Sequence, residues 1–217
     1  MPDFAWESKL AGTAGKPVCG VDEAGRGPLA GPVVAAAVIL DRRRVDRDLL
    51  AGIDDSKKLS EEKRAVLFAA LREQAMAGHA VIGVGGASVA EITQLNIFHA
   101  TMLAMQRAVT ALRVIPAHAL IDGKHCPKHL ACPATAIVDG DALSLSIAAA
   151  SIVAKVVRDR AMEKLHRRYP AYGWDRNKGY GTAAHQAGLK SAGISPHHRL
   201  GFAPVQQQMT LDIELTN

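Results

Sequence analysis

The chain carries only three cysteines in 217 residues, Cys19, Cys126 and Cys132, and an odd number cannot all pair within one chain. Reduced thiols in a cytosolic setting are therefore the simplest reading, against a disulfide-stapled secreted scaffold. No stretch approaches the ~20 unbroken apolar residues that span a bilayer. The opening Met1-Pro2-Asp3-Phe4-Ala5-Trp6-Glu7 has acids where a secretory signal would carry basic residues, and no apolar block follows. No internal repeat or low-complexity tract is present. Aromatics are sparse at 4%, with two tryptophans and three tyrosines. What remains is ordinary for a globular chain, 48% hydrophobic and 22% charged, which argues against disorder or a fibrous protein. The length suits one full domain, and the expectation is a soluble cytoplasmic protein that does not associate with membranes.

The net charge of +5 is unevenly placed. Between residues 155 and 199, ten Lys or Arg stand against three Asp or Glu, leaving a slight acidic excess elsewhere. Tyr169, Tyr172, Tyr180 and Trp174 all fall in that window. Clustered cations with interleaved aromatics suit a nucleic-acid backbone with stacked sugars and bases. The competing reading is a solvated helix face followed by a tyrosine-rich loop that simply packs.

Residues 17–22 are β-prone, and Val33 to Leu40 is a nearly continuous apolar run of the kind buried on both faces of a sheet. The glycines and prolines between Ala24 and Pro32 force a turn, so the two strands read as a hairpin. Ser60 caps a helix to about Ala77, with Glu61 and Glu62 favourable to its dipole and Gly78 as its stop. Ala80 to Val84 reads as a third strand, broken by Gly85-Gly86. A helix is expected from Val89 to Leu112, with Ile92, Leu95, Phe98, Met102, Met105, Val109 and Leu112 as its apolar stripe. Strands over 118–121 and 134–138 follow, then a long helix from near Asp141 to about Arg168. Paired strands followed by strands alternating with helices indicate one α/β domain with a mixed sheet.

Acids recur where these strands end: Asp22 and Glu23 after the first, Asp122 after the fourth, and Asp141 at the start of the long helix. Such strand ends are where α/β folds build sites. Several carboxylates in one pocket cannot all stay ionised without cations. Magnesium or manganese, hard ions that take oxygen ligands, would relieve the repulsion. Two such ions about 4 Å apart would flank a phosphodiester. The alternatives are structural. Asp141 suits a helix N-cap, and Asp122-Gly123 is a common turn pair. Asp22 and Glu23 point to opposite faces unless the strand ends or twists there.

Five ordered blocks carry more information: Gly20-Val21-Asp22-Glu23-Ala24-Gly25-Arg26-Gly27-Pro28-Leu29-Ala30-Gly31-Pro32-Val33; Asp54-Asp55-Ser56-Lys57-Lys58-Leu59-Ser60; Ile121-Asp122-Gly123; Gly140-Asp141-Ala142-Leu143-Ser144, continuing through Ser151 to Lys155; and Lys178-Gly179-Tyr180-Gly181-Thr182 with His185, then His198-Arg199 and Phe202. In this order they resemble the type 2 ribonucleases H, specifically bacterial ribonuclease HII, over nearly the whole chain.

The resemblance implies a ribonuclease H-like mixed β-sheet flanked by helices, with a C-terminal helical appendix from about residue 169. The catalytic domain would span 17–205, between tails 1–16 and 206–217. It implies an endonuclease that hydrolyses the RNA strand of RNA–DNA hybrids and single ribonucleotides embedded in duplex DNA, leaving 5′-phosphate and 3′-hydroxyl ends. Asp22, Glu23, Asp122 and Asp141 would be the catalytic carboxylates, the first three the principal ligands of Mg2+ or Mn2+. Discrimination of RNA rests on the 2′-hydroxyl, assigned to Gly25, Arg26, Gly27 and Tyr180. Ser151, Lys155 and Arg158 share one helical face that would grip successive phosphates. The resemblance is to a monomeric form acting in ribonucleotide excision repair; no residue names its replication or repair partner.

Other features stand apart. His185 would shuttle a proton or organise its loop. Leu200-Gly201 replaces residues that are basic or small polar in many relatives. His125, Cys126, His129 and Cys132 have no usual zinc spacing. Residues 12–17, Gly-Thr-Ala-Gly-Lys-Pro, lack the spacing and the Ser or Thr of a phosphate loop. A catalytically silent nucleic-acid-binding module would keep the basic appendix, but bare acids would weaken its hold on a polyanion. A magnesium-dependent phosphatase of small molecules would need no basic, aromatic segment.

Overall fold

Five strands, β1 (Val18–Ala24), β2 (Val33–Leu40), β3 (Ala80–Ala87), β4 (His118–Asp122) and β5 (Ala134–Ile137), form a mixed sheet in the order β3-β2-β1-β4-β5. The structure, a computed structural model, describes residues 1–11 and 17–214. The Gly-Lys stretch rejected as a phosphate loop therefore lies almost wholly outside the described residues. Strands β1 (Val18–Ala24) and β2 (Val33–Leu40) form the expected antiparallel hairpin. All eight residues of β2 are buried, as a continuous apolar run requires when both faces are covered. Its even-numbered residues Ala36, Val38 and Leu40 pack with α2 (Arg47–Gly52), α3 (Glu61–Met76) and α5 (Leu145–Arg168). Val33, Ala35, Ala37 and Ile39 pack with α4 (Val89–Thr110) on the other face.

Three elements differ from the sequence reading, each for a local reason. Strand β3 (Ala80–Ala87) runs straight through Gly85-Gly86. A Cβ on Gly83 or Gly85 would collide with the α4 backbone at Ala108 and Ala104, so these glycines admit the helix and do not end the strand. Helix α4 is kinked at Asn96 (φ 63°), whose side chain caps the second half through the amides of Phe98 (2.9 Å) and His99 (3.2 Å). The phase resets there: Leu95 is left exposed, and Ala100, Ala104, Met105 and Ala108 form the buried face. Helix α5 begins at Leu145 with Ser144 as its N-cap, its hydroxyl accepting from Ile147 N. Asp141 lies earlier, in a 3-10 turn over Gly140–Ala142. That turn removes the helix-cap explanation of this acid.

The two ends are more ordered than the word tail implies. Helix α1 (Ala5–Leu10) is pinned by Glu7, whose Oε1 accepts from Ser144 Oγ (2.7 Å) and Ser146 N (2.9 Å). Residue 206, the expected start of a tail, falls inside α8 (Ala203–Glu214). Between α5 and α8 the appendix consists of a 3-10 turn at Pro170–Tyr172, α6 (Trp174–Asn177) and α7 (Ala183–Ala192). Among the described residues no helix is long and apolar enough to cross a membrane.

Candidate active site

Two parallel strands deliver the first acids side by side. β1 pairs in parallel with β4 (His118–Asp122), ending in register at Val21 and Ile121, so Asp22 and Asp122 are the next residues on neighbouring strands. β4 pairs in parallel with β5 (Ala134–Ile137), and the 3-10 turn that follows returns to the site, where Gly140 N donates to Asp122 Oδ1 (2.8 Å). Asp22 faces α5, where the Ser151 hydroxyl favours its ionised form. Glu23 points the other way, but the chain bends at once at Gly25 (φ 97°). Both acids line one cleft at the carboxyl end of the sheet.

Of the eleven residues expected at the site, all but Asp141 line this cleft. Asp141, buried at 5% exposure, stands at its margin, where Lys57 Nζ reaches its Oδ2 at 3.5 Å. The charges are crowded. Burial and then repulsion from Glu23 and Asp122 push the Asp22 carboxyl well above the usual carboxylate range. Burial likewise raises Glu23, Asp122 and Asp141, the last with Asp122 adding repulsion. Each acid is meanwhile engaged by a different donor: Asp22 by Glu23 N (2.6 Å), Glu23 by Arg26 (3.2 Å), Asp122 by Gly140 N and Asp141 by Lys57. Among the described residues no three His, Cys, Asp or Glu side chains are gathered tightly enough to enclose a cation as they stand. The donor chemistry nevertheless fits a hard divalent ion, because the set is all carboxylate oxygen and its acids stay raised even with Arg26 and Lys57 beside them.

The substrate-side residues divide into two groups. Gly25, Arg26 and Gly27 form one lip, and Tyr180, 48% exposed, stands opposite. Lys155 is partly exposed and bonded to Asp159 (2.8 Å). Arg158 differs from the surface phosphate grip expected of it. It is 1% exposed and donates to the carbonyls of Lys178 (2.6 Å) and Ala30 (3.2 Å). It forms the cleft floor behind Gly25.

The aromatic window also reads differently in three dimensions. Tyr172 and Trp174 are buried and stacked, with ring centroids 4.9 Å apart, and His185 and His198 pack edge-on or tilted against them. This is the packing alternative; Tyr180 alone among the three tyrosines and Trp174 both lines the cleft and is largely exposed. His185 is fully buried with Nδ1 2.9 Å from Tyr180 O, the geometry of a loop organiser.

Residue-type patterning missed Arg199. Completely buried, it bonds to carbonyls of Gly25, Arg26 and Gly31, and burial beside Arg158 pushes its guanidinium down to about 9. Its only signal in the sequence was its place in the last motif block.

Burial, with His185 and His197 adding repulsion, pushes His198 down from 6.5 to about 4. A depressed histidine stabilises the fold fully above the ordinary value and ceases to do so as the pH falls through the folded one. Between pH 7 and pH 4, wild type should therefore lose about 3 kcal/mol more than His198→Gln. Denaturant unfolding at the two pH values measures this, and equal losses would contradict it.

The geometry can now be set beside known proteins. A sequence model of the family "Ribonuclease HII" matches residues 19–205. The ribonuclease HII of Paramagnetospirillum magneticum is 54% identical over 209 residues, 96% of this chain and 99% of its own. That of Granulibacter bethesdensis is 55% identical over 214 residues, 99% of this chain and 94% of its own. Among solved structures, ribonuclease H2 from Pyrococcus horikoshii superposes with a TM-score of 0.69 at 27% identity, covering 90% of this chain and 98% of that one. The sheet and flanking helices are thus the ribonuclease H-like fold, and the chain belongs to the ribonuclease HII family, hydrolases that cleave the RNA strand of RNA–DNA hybrids.

Proposed function

We propose that this cleft cuts RNA–DNA hybrids and also duplex DNA carrying a single ribonucleotide, with Mg2+ or Mn2+, and leaves 5′-phosphate and 3′-hydroxyl ends. The observation that carries this reading is the parallel register that sets Asp22 beside Asp122 on the floor of a cleft whose rim holds a glycine lip and an exposed tyrosine. Asp22, Glu23 and Asp122 would hold the cation, and Asp141 would complete the set. When bound, a divalent ion neutralises the crowded acids and stabilises charge on the phosphoryl oxygens.

The chain's own groups account for the rest. The glycine lip brings backbone amides and carbonyls within reach of a ribose, because no β-carbon stands in the way. Tyr180 offers a ring face for stacking and a hydroxyl. Lys57, which is exposed, and Lys155, which is partly exposed, stand beside the acids and suit phosphates flanking the scissile one. Water attacks phosphorus as the bond to the 3′-oxygen breaks and that oxygen takes a proton, so the phosphate stays with the downstream nucleotide. The 2′-hydroxyl is recognised and is not the nucleophile. The working unit would be a monomer acting in the cytoplasm on hybrids and ribonucleotide-containing duplex DNA.

Tyr180→Ala tests the reading on a duplex with one embedded ribonucleotide. Stacking is worth about 1–3 kcal/mol per base, so kcat/KM should fall about 5- to 150-fold. An unchanged rate would remove Tyr180 from ribose recognition.

A further inference from the structure

The two lips of the cleft are held from behind by one dipeptide. Arg199 Nη2 donates to Gly25 O (2.6 Å) and Gly31 O (2.9 Å), and Nη1 to Arg26 O (2.8 Å). Its neighbour His198 holds the opposite lip through a hydrogen-bond chain whose direction is set at its first link. Ser195 N–H donates to His198 Nδ1 (3.0 Å), so that nitrogen is bare and the ring proton sits on Nε2. His198 Nε2 then donates to His185 Nε2 (2.9 Å), sharing that nitrogen's one lone pair with Trp174 Nε1 (3.1 Å). The His185 proton is left on Nδ1, facing the Tyr180 carbonyl at 2.9 Å. Backbone seams close the frame: His198 bridges Ala30, Arg199 N bonds Leu29 O (2.8 Å), and Leu29 N bonds Gly179 O (2.8 Å). The lips themselves stand close, since a Cβ on Gly27 would lie 3.6 Å from Tyr180 Cε1.

Resting on the ribose-recognition reading above, we infer that His198 and Arg199 are positioning residues for sugar selection, setting the spacing between the Gly25–Gly27 backbone and Tyr180. Neither has to touch the substrate. A hydrogen bond to a 2′-hydroxyl weakens steeply beyond about 3.2 Å, so telling ribose from deoxyribose demands lips held to fractions of an ångström. Phosphate contacts tolerate more slack because charge acts over longer distances. Loosening the frame therefore lowers selectivity and leaves general affinity for duplexes in place.

The experiment compares KM for an RNA–DNA hybrid with the inhibition constant of an all-DNA duplex of the same sequence, using the full chain with Mg2+. Arg199→Lys and His198→Gln should lower the ratio of the DNA constant to the hybrid KM about tenfold, with the DNA constant unchanged within about twofold. Tyr172→Phe, which removes only a hydroxyl bond to Gly193 O in the same cluster, should leave the ratio alone. An unchanged ratio in both folded variants, or an equal fall in Tyr172→Phe, overturns the inference. Wild-type protein offers a test that survives misfolded variants: long-range proton–nitrogen spectra at pH 7 should show His198 neutral with its proton on Nε2 and His185 neutral with its proton on Nδ1. The opposite tautomers overturn it. Wild type that fails to cleave hybrid while showing the expected tautomers would sink the function proposed above and leave the frame standing.

Discussion

Asp22→Asn should abolish cleavage, lowering kcat at least about a thousandfold, or about 4 kcal/mol in the barrier, while hybrid binding stays close to wild type. The substitution keeps an oxygen that can accept from Glu23 N and removes one charge from the most buried of the crowded acids. A second consequence follows from that crowding. The folded-state value of Asp22 is raised by burial and by Glu23 and Asp122. Its ionised form therefore costs stability once the pH exceeds the unfolded carboxylate range. At neutral pH the variant should melt higher than wild type by about 2–4 °C for each kcal/mol relieved, and added Mg2+ should raise the melting point of wild type more than that of the variant. Lost activity with raised stability is the signature of a site that strains its own fold. Retained turnover, or a variant that binds hybrid far more weakly, would contradict these roles.

Gly25→Ala should be nearly as damaging by a different route. Gly25 has φ 97°, and its Cβ would strike Arg158 Nε, lie 2.6 Å from Arg158 Cδ and 2.9 Å from Pro32 O. Arg158 cannot swing away without giving up the carbonyls of Lys178 and Ala30. Positive-φ strain adds about 1–2 kcal/mol and a lost charged hydrogen bond about 1.5–3 kcal/mol, so denaturant unfolding should show a loss of about 3 kcal/mol. The lip would shift, and a misplacement near 1 Å costs on the order of a hundredfold in rate. A variant as stable and as active as wild type would show that the lip is not built on this glycine.

Much of this architecture was legible because it follows from short-range rules. The β2 run of eight apolar residues has nowhere to go but the centre of a sheet, and Ser60 and Gly78 bracket α3 as caps do. The acids were visible as strand-end residues, and the ordered motif blocks identified which of them belong together. Other features depend on partners remote in sequence. Gly85 reads as a breaker until the α4 backbone is laid against it. Asn96 reads as an ordinary polar helix residue until its side chain turns back to cap the amides beyond it. Arg158 and Arg199 count as positive charge in any composition, yet each is buried against carbonyls, including Ala30 and Gly25 more than a hundred residues away. Charge and aromatic content left the appendix open between a nucleic-acid surface and a packed loop; Tyr172 and Trp174 take the second role, in the cluster that holds Tyr180 at the rim.

The most direct measurement offers the full chain two duplexes of identical sequence, one with a single ribonucleotide and one all DNA, each with and without a divalent cation. Strand scission at the ribonucleotide junction, dependent on the cation and absent from the all-DNA twin, is the predicted result. Scission of the all-DNA twin, or cutting that persists after the cation is chelated, would contradict the claim that converging carboxylates and a sugar-reading rim form one site.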